Sequence, residues 1–226
     1  VGGTSAGAAL SKLGTVTLLE AETQLAYHAS GRSAALFEET YGKPSTIALN
    51  KASHAHHIAN DLLSPRGIMC IGTTETADLF HADQAAMKLD VISTETAKQM
   101  VPILNLDTVK HAAWNNNASD LDTDKMIQGY VKTIRAGGGT IYTDAAVTGI
   151  KRTATGWTVT TKQGDFSGAV LVNAAGPWAD QVAALAGIAP IGLTPCRRSM
   201  GRIPAPGGHD LSGWPMIFGA GETWYC

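Results

Sequence analysis

The chain has 226 residues, 44% of them hydrophobic and 16% charged, enough for one large domain or two smaller ones around a real core. A formal charge of -2 and a pI near 6.4 give no electrostatic footing for nucleic acid as a partner. The 25 glycines are scattered, which excludes collagen-like and linker architectures, and no apolar run approaches the ~20 residues of a transmembrane helix.

Cys70, Cys196 and Cys226 are odd in number, far apart and in no CxxC spacing. That pattern argues against a disulfide framework and a zinc site, and it places three free thiols in a reducing cytoplasm. No signal peptide is recognisable, although the chain opens on Val1 and not on Met.

In chain order, Gly2, Gly3 and Gly7 open the sequence in "VGGTSAGAAL". "AGAALSKLG" reads as a short Ala-rich helix ending at Gly14. "TVTLLEAE" then reads as a buried strand closed by Glu20, so helix and strand together form the second half of a βαβ unit. From Ser45 to Leu62 the period is helical, with Ile47, Leu49, Ala52, Ala55, Ile58 and Leu62 as apolar positions and Ser45 as N-cap. "IMCIGTT", from Ile68, is a strand. Residues 122–136 form a helix with Asp122 as N-cap, a core stripe of Met126, Ile127, Tyr130, Val131 and Ile134, and Gly137 to Gly139 as its stop. Short strands follow in "TIYTDAAVTGIKR", "GWTVTTKQG" and the strongly apolar "GAVLVNAAG".

The opening glycines allow two registers of the dinucleotide fingerprint GxGxxG, which needs an acidic residue about 20 positions further on. If Gly7 is the last glycine, Glu20 lies only 13 positions beyond it. The crossover helix then shrinks to about 10 Å, too short to run back along a strand of about 17–20 Å. If Gly3 is the last glycine, Glu20 lies 17 positions away and the helix reaches about 15 Å. The second register fits. It implies that the sequence begins inside the loop, with the opening strand and two glycines upstream of Val1. A solvated strand-end carboxylate is the competing account of Glu20.

"YHASGRSAALFEETYG" (27–42) resembles the stretch after the second strand in the D-amino-acid oxidase-like superfamily of FAD-dependent oxidoreductases. "VLVNAAGPWADQVAALAG" (170–187) is similar to that superfamily's later flavin-side strand and helix. "GLTPCRRSM", with "DLSGWPMIF" and "TWYC" behind it, looks most like the FAD-dependent D-arginine, or broad D-amino acid, dehydrogenases. The blocks occur in the family's order and the resemblance covers nearly the whole chain. It also implies a fragment truncated at both ends, a little over half of such an enzyme.

The fold implied is α/β: a Rossmann-like FAD-binding domain, its first strand missing, with an inserted α+β mixed-sheet substrate domain. The expected segments are 1–66 and 120–190 for the FAD-binding domain, and 67–119 and 191–226 for the substrate domain. The resemblance gives Glu20 the ribose hydroxyls, and it lays Gly31, Arg32 and Ser33 along the cofactor near the flavin, where Arg can bridge phosphate oxygens and Ser can donate. Gly2 and Gly3 let backbone approach the pyrophosphate at a helix N-terminus. Ala34 and Ala35 suit backbone packed beneath a planar ring, though small core residues are equally common. Val147 matches the position whose backbone meets the adenine. Ala174, Ala175 and Gly176 would end a buried strand and let the cofactor pass, with helix–strand packing as the alternative.

On the substrate side, Arg197 and Arg198 are adjacent on an expected strand and so face opposite ways. The resemblance assigns Arg198 to the substrate carboxylate and lines the pocket with Tyr41 and Tyr225; ordinary packing is the alternative for either Tyr. Two departures matter. Relatives specific for D-arginine place a His at Leu36 and a carboxylate for the guanidinium at Ile68. Neither residue here can take that role, so an apolar or small D-amino acid is the expected substrate.

The implied reaction is oxidation of the amine-bearing α-carbon by hydride transfer to flavin, followed by imine hydrolysis to 2-oxo acid and ammonia. No residue stands out as general base, and the electron acceptor is not legible. The rivals are a relative acting on a secondary amine or 2-hydroxy acid, and a non-catalytic fragment unable to hold FAD. "SDLDTDK" lacks the Gly and closing Glu of a calcium loop, "HAHH" offers His54 and His57 without a further ligand, and no GxSxG elbow occurs; no metal is expected.

Overall fold

The computed structural model describes the backbone of the whole chain and every side chain but that of Pro206. In chain order it comprises α1 (Gly2–Leu10), β1 (Thr17–Leu19), a 3-10 turn (Ala29–Gly31), β2 (Leu36–Phe37), α2 (Pro44–Ala59), β3 (Leu63–Pro65) and β4 (Ile68–Gly72). There follow α3 (Ala77–Met87), β5 (Asp90–Ile92), α4 (Thr94–Met100), β6 (His111–Asn115), β7 (Ser119–Leu121) and α5 (Thr123–Ala136). The remainder is β8 (Thr140–Tyr142), β9 (Val147–Arg152), β10 (Trp157–Thr161), β11 (Gly164–Gly168), a second 3-10 turn (Gly176–Trp178), α6 (Ala179–Leu185) and β12 (Met216–Gly219). Among the described residues, no helix is long and apolar enough to cross a membrane.

The chain forms two compact units: residues 1–33 with 123–200, and residues 34–122 with 201–226. The sequence reading had grouped 34–66 with the first unit. β2 and β3 instead pair with β7 in one antiparallel sheet, and those ladder bonds carry the segment into the second unit.

The first unit is built on a parallel pair, β1 with β8, in register Thr17 to Thr140 and Leu19 to Tyr142. α1 packs on α5 through Gly7, where a Cβ would come within 2.8 Å of Ile134 Cδ1, so glycine permits the close approach. α5 buries Met126, Ile127, Val131 and Ile134, as its 3.6-residue period requires. It stops as expected: Gly139 N–H donates to Ile134 O and Gly138 N–H to Arg135 O, with Gly138 at φ 76°, the left-handed cap that glycine adopts freely. β9, β10 and β11 form an antiparallel meander.

The second unit carries a mixed sheet in the order β12-β4-β6-β5, with β12 parallel to β4 and the other pairs antiparallel. β4 is buried on both faces, which is why "IMCIG" is continuously apolar. Ile68 and Cys70 face Phe80 and Met87 of α3, while Met69 and Ile71 face Ala97 of α4 and Val101. Burial pushes the Cys70 thiol up to about 12, which leaves it protonated and inert.

Three elements differ from expectation. α2 begins at Pro44, with Lys43 and not Ser45 in the cap position, because proline's fixed φ suits the first helical residue. Its expected apolar face is outward, with Leu49 68% and Ile58 61% exposed; His57 is its buried residue. Residues 169–175 form no strand: the backbone there makes no ladder, and Val170 is 77% exposed. Residues 189–205 are likewise outside any strand, so Arg197 and Arg198 do not alternate across a sheet.

Candidate functional site

In the first unit the α1 N-terminus is the point on which the expected residues converge. Gly2 and Gly3 are its first two helical residues. A Cβ on Gly2 would meet nothing within 4 Å, whereas one on Gly3 would lie 3.8 Å from Ala174 Cβ and from Leu18 Cδ1. The glycine start therefore lies beside both the end of β1 and the loop at 174–176. Val1 N lies 2.9 Å from Ser30 Oγ, which brings the 29–31 turn to the same place.

Glu20 follows β1 and is held at both backbone groups: its N–H donates to Tyr142 O, and its carbonyl accepts from Ala145 N–H, both at 2.8 Å. Its Oε1 accepts the Glu22 N–H at 3.1 Å. Val147, two residues beyond Ala145, opens β9 in register with Thr161. An acidic strand end beside a helix N-terminus, with an open glycine surface between, is the arrangement that receives a nucleotide's ribose and pyrophosphate.

The turn carrying Gly31, Arg32 and Ser33 is tightly folded. Gly31 N–H donates to His28 O, and a Cβ on Gly31 would stand 2.2 Å from Ala26 O, so backbone approach excludes any side chain there. Arg32 Nε donates to Tyr27 O at 2.8 Å, and its guanidinium lies 4.9 Å from the Tyr27 ring centroid. Ala34 and Ala35 lie in the second unit; Ala35 adopts φ 53° and its carbonyl accepts Leu121 N–H.

At 173–178 the polypeptide is shaped by Asn173. Its Oδ1 accepts Ala175 N–H and its Nδ2 donates to Ala179 O, while Gly176 takes φ 57°. Ala174, Ala175 and Gly176 thus end no buried strand, but they do line a turn at the α1 N-terminus. Arg198 lies in the extended segment after α6. That segment is fixed at its start by Asp180, whose carboxylate accepts the N–H groups of Ile191, Gly192 and Leu193 at 2.8–3.0 Å, bonds that hold its pKa down.

In the second unit Tyr41 donates its phenol O–H to Glu222 Oε2 at 2.9 Å. Tyr225, three residues on, bridges to Phe218 of β12, so the structure brings Tyr41 and Tyr225 to one hairpin. Ile68 is buried within β4, 4% exposed, and Leu36 sits in β2 opposite Asp120. Sequence reasoning had not singled out Glu222, His28 or Trp178. The last two carried a legible signal, since each is an aromatic inside a block matched to the family. His54 pairs with Glu39, and among the described residues no group of three or more His, Cys, Asp or Glu side chains has the arrangement to hold a metal ion.

A βα nucleotide cradle in one unit and a mixed sheet in the other define the class as a two-unit, dinucleotide-binding α/β protein. Residues 1–225 match the model of the family DAO, described as FAD dependent oxidoreductase, and the chain belongs to that family. FAD is the cofactor of the family, and the open surface at Gly2, the first residue of α1, fits a pyrophosphate at a helix N-terminus.

Human mitochondrial dimethylglycine dehydrogenase is 30% identical over 99 residues, which are 43% of this chain and 11% of that protein. Among solved structures, glycine oxidase from Geobacillus kaustophilus superposes with a TM-score of 0.73 at 18% identity, covering 96% of this chain and 63% of that one. L-proline dehydrogenase from P. horikoshii gives 0.72 at 18% identity, with 96% and 61% covered. L-α-glycerophosphate oxidase from Mycoplasma pneumoniae, solved with FAD bound, gives 0.67 at 18% identity, with 82% and 55% covered. The chain thus spans less than two thirds of the length of these relatives, and the likeness to the solved structures is one of fold.

Proposed function

We propose that the protein oxidises the amine-bearing α-carbon of a D-amino acid. The match of residues 1–225 to the FAD-dependent oxidoreductase family carries this reading. In it, the unit of residues 1–33 and 123–200 is the FAD-binding domain, and the unit of residues 34–122 and 201–226 the substrate domain. Gly2, Gly3, Glu20, Gly31, Arg32, Ser33, Ala34, Ala35, Val147, Ala174, Ala175 and Gly176 are assigned to FAD. When bound, FAD accepts the hydride released from the α-carbon. The imine left behind takes up water and yields a 2-oxo acid and ammonia.

Arg198 is assigned to the substrate carboxylate, a role suited to the bidentate guanidinium fork, and Tyr41 and Tyr225 shape the pocket. A neutral side chain on the substrate follows from the resemblance alone, in which relatives specific for D-arginine carry a carboxylate at the position of Ile68. A second reading, oxidation of a secondary or tertiary amine, is favoured by the local identity to dimethylglycine dehydrogenase.

Steady-state kinetics of the full-length protein with Arg198→Met test the reading. Loss of a bidentate carboxylate contact predicts that KM for a neutral D-amino acid rises about tenfold or more, with a smaller change in kcat. An unchanged KM would remove Arg198 from the substrate site. Activity confined to N-methylated glycines would favour the second reading.

A further inference from the structure

After α6 the chain runs through residues 188–205 without joining a helix or a sheet. Its apolar side chains give it little anchorage, with Ile191 80% exposed, Met200 53% and Leu193 45%. One carboxylate fixes its path at the start. Asp180 Oδ1 accepts Ile191 N–H at 3.0 Å, and Oδ2 accepts Gly192 N–H at 3.0 Å and Leu193 N–H at 2.8 Å. Successive amides converge on one anion where the backbone curls around it. Gly192 supplies the curl at φ 84°; a Cβ there would meet nothing within 4 Å, so glycine is needed for its backbone and not for space.

The same helix start holds the cofactor side. Asp180 lies in the first turn of α6 beside Ala179, whose carbonyl accepts Asn173 Nδ2–H at 2.8 Å. Asn173 Oδ1 accepts Ala175 N–H at 3.2 Å, which shapes the turn assigned to FAD. Two adjacent residues thereby hold that turn and the segment carrying Arg198, all within the first unit.

We propose that Asp180 is a positioning residue for the substrate: it pins residues 191–193 to α6 and so sets where Arg198 stands relative to the 174–176 turn. The inference rests on the assignment of Arg198 to the substrate carboxylate. Arg198 lies five residues beyond Leu193. With Leu193 held, only that short stretch has to be ordered when a carboxylate is captured. Released, the stretch to be ordered extends back to the end of α6, and the entropy lost on binding grows. The three bonds, that from Ile191 foremost, hold the Asp180 pKa below the usual carboxylate range, so the acceptor is ionised at neutral pH and the bonds are charge-assisted. The effect lies in binding and not in hydride transfer, which places it in KM more than in kcat.

The test is steady-state kinetics of the full-length, FAD-loaded protein with a neutral D-amino acid, for wild type, Asp180→Asn, Arg198→Met and the double variant. Asp180→Asn keeps the side-chain shape but sets an amide NH2 against backbone N–H groups that need an acceptor. Its KM should rise about three- to tenfold, with kcat within about twofold of wild type. In the Arg198→Met background the same substitution should change KM by less than about twofold, because the segment it positions no longer carries the guanidinium. A merely structural role would act equally in both backgrounds. Gly192→Ala disfavours φ 84° and should reproduce the KM rise; it carries the test if Asp180→Asn loses its far-UV circular dichroism. Wild-type KM in the folded variant, or an equal effect in both backgrounds, overturns the inference and leaves Arg198 at the substrate. Wild-type KM for Arg198→Met overturns the reading beneath it and the inference together.

Discussion

Gly2 and Gly31 look alike in the sequence and differ in the structure. A Cβ at Gly2 enters open space, while one at Gly31 would meet the Ala26 carbonyl oxygen at 2.2 Å. Gly2→Ala should therefore keep the wild-type melting temperature and weaken FAD binding about tenfold, since the methyl occupies the surface the pyrophosphate must approach. Gly31→Ala should cost about 1–3 kcal/mol of stability, because backbone must move to admit the methyl. Thermal melts of the apoproteins with fluorescence titrations of FAD check both. Equal melting temperatures for the two variants would contradict the account.

His57 makes a pH prediction at the same scale. It is buried, its Nδ1 has no hydrogen-bond partner, and burial followed by the charges of His56 and His54 lowers its pKa. A lowered imidazole pKa means the neutral form is favoured in the fold. Its contribution is present above the unfolded value near ~6.5 and is lost as pH falls through the folded value. Calorimetry should show the melting temperature of the wild type dropping more between about pH 7 and about pH 5 than that of His57→Leu; parallel profiles would contradict it.

Elements were legible where their own residues decide them. α5 was read almost to the residue, because its apolar stripe and its glycine cap are both local, and β4 was read from its continuous apolar run. α2 was read with the wrong face inward. Leu49 and Ile58 look like core, yet Asn50 points to the turn after β2, where its Nδ2 donates to Glu38 O at 3.2 Å and to Tyr41 O at 3.3 Å. Phe37 receives His57 edge to face at 5.1 Å. Hydrophobic periodicity cannot anticipate a helix face that is chosen by hydrogen bonds to a distant turn. Residues 169–175 failed for a related reason: a strand needs a partner, and partners are not local. Asn50→Ala removes both turn contacts and should cost about 1–2 kcal/mol in a denaturant melt. It should also speed hydrogen exchange at the Tyr41 amide, which donates to Glu38 O. Unchanged exchange at that amide would remove Asn50 from the support of the turn.

At the scale of the molecule, the sequence disclosed its class through the order of its blocks more than through any one motif. A glycine pair, an acidic strand end and three matched segments point to a Rossmann-like α/β fold, and residues 1–225 match the FAD dependent oxidoreductase family. Composition could not disclose the crossing points of the chain at 33/34, 122/123 and 200/201, because β2 and β3 join the second unit only through β7. Nor could it disclose the stack of Tyr27, His28 and Trp178, which joins residues 150 positions apart. The substrate reading rests on single positions, Ile68, Leu36 and Arg198, and is the part most exposed to experiment.

The direct test is an anaerobic titration of the full-length, FAD-loaded protein with single amino acids, followed by the flavin's visible absorbance. The account predicts that neutral D-amino acids bleach the flavin band, that D-arginine does so poorly, and that the matching 2-oxo acid and ammonia appear. A flavin band that no D-amino acid bleaches would keep the fold and contradict the substrate. A protein that stays colourless with FAD in excess would contradict the account at its base.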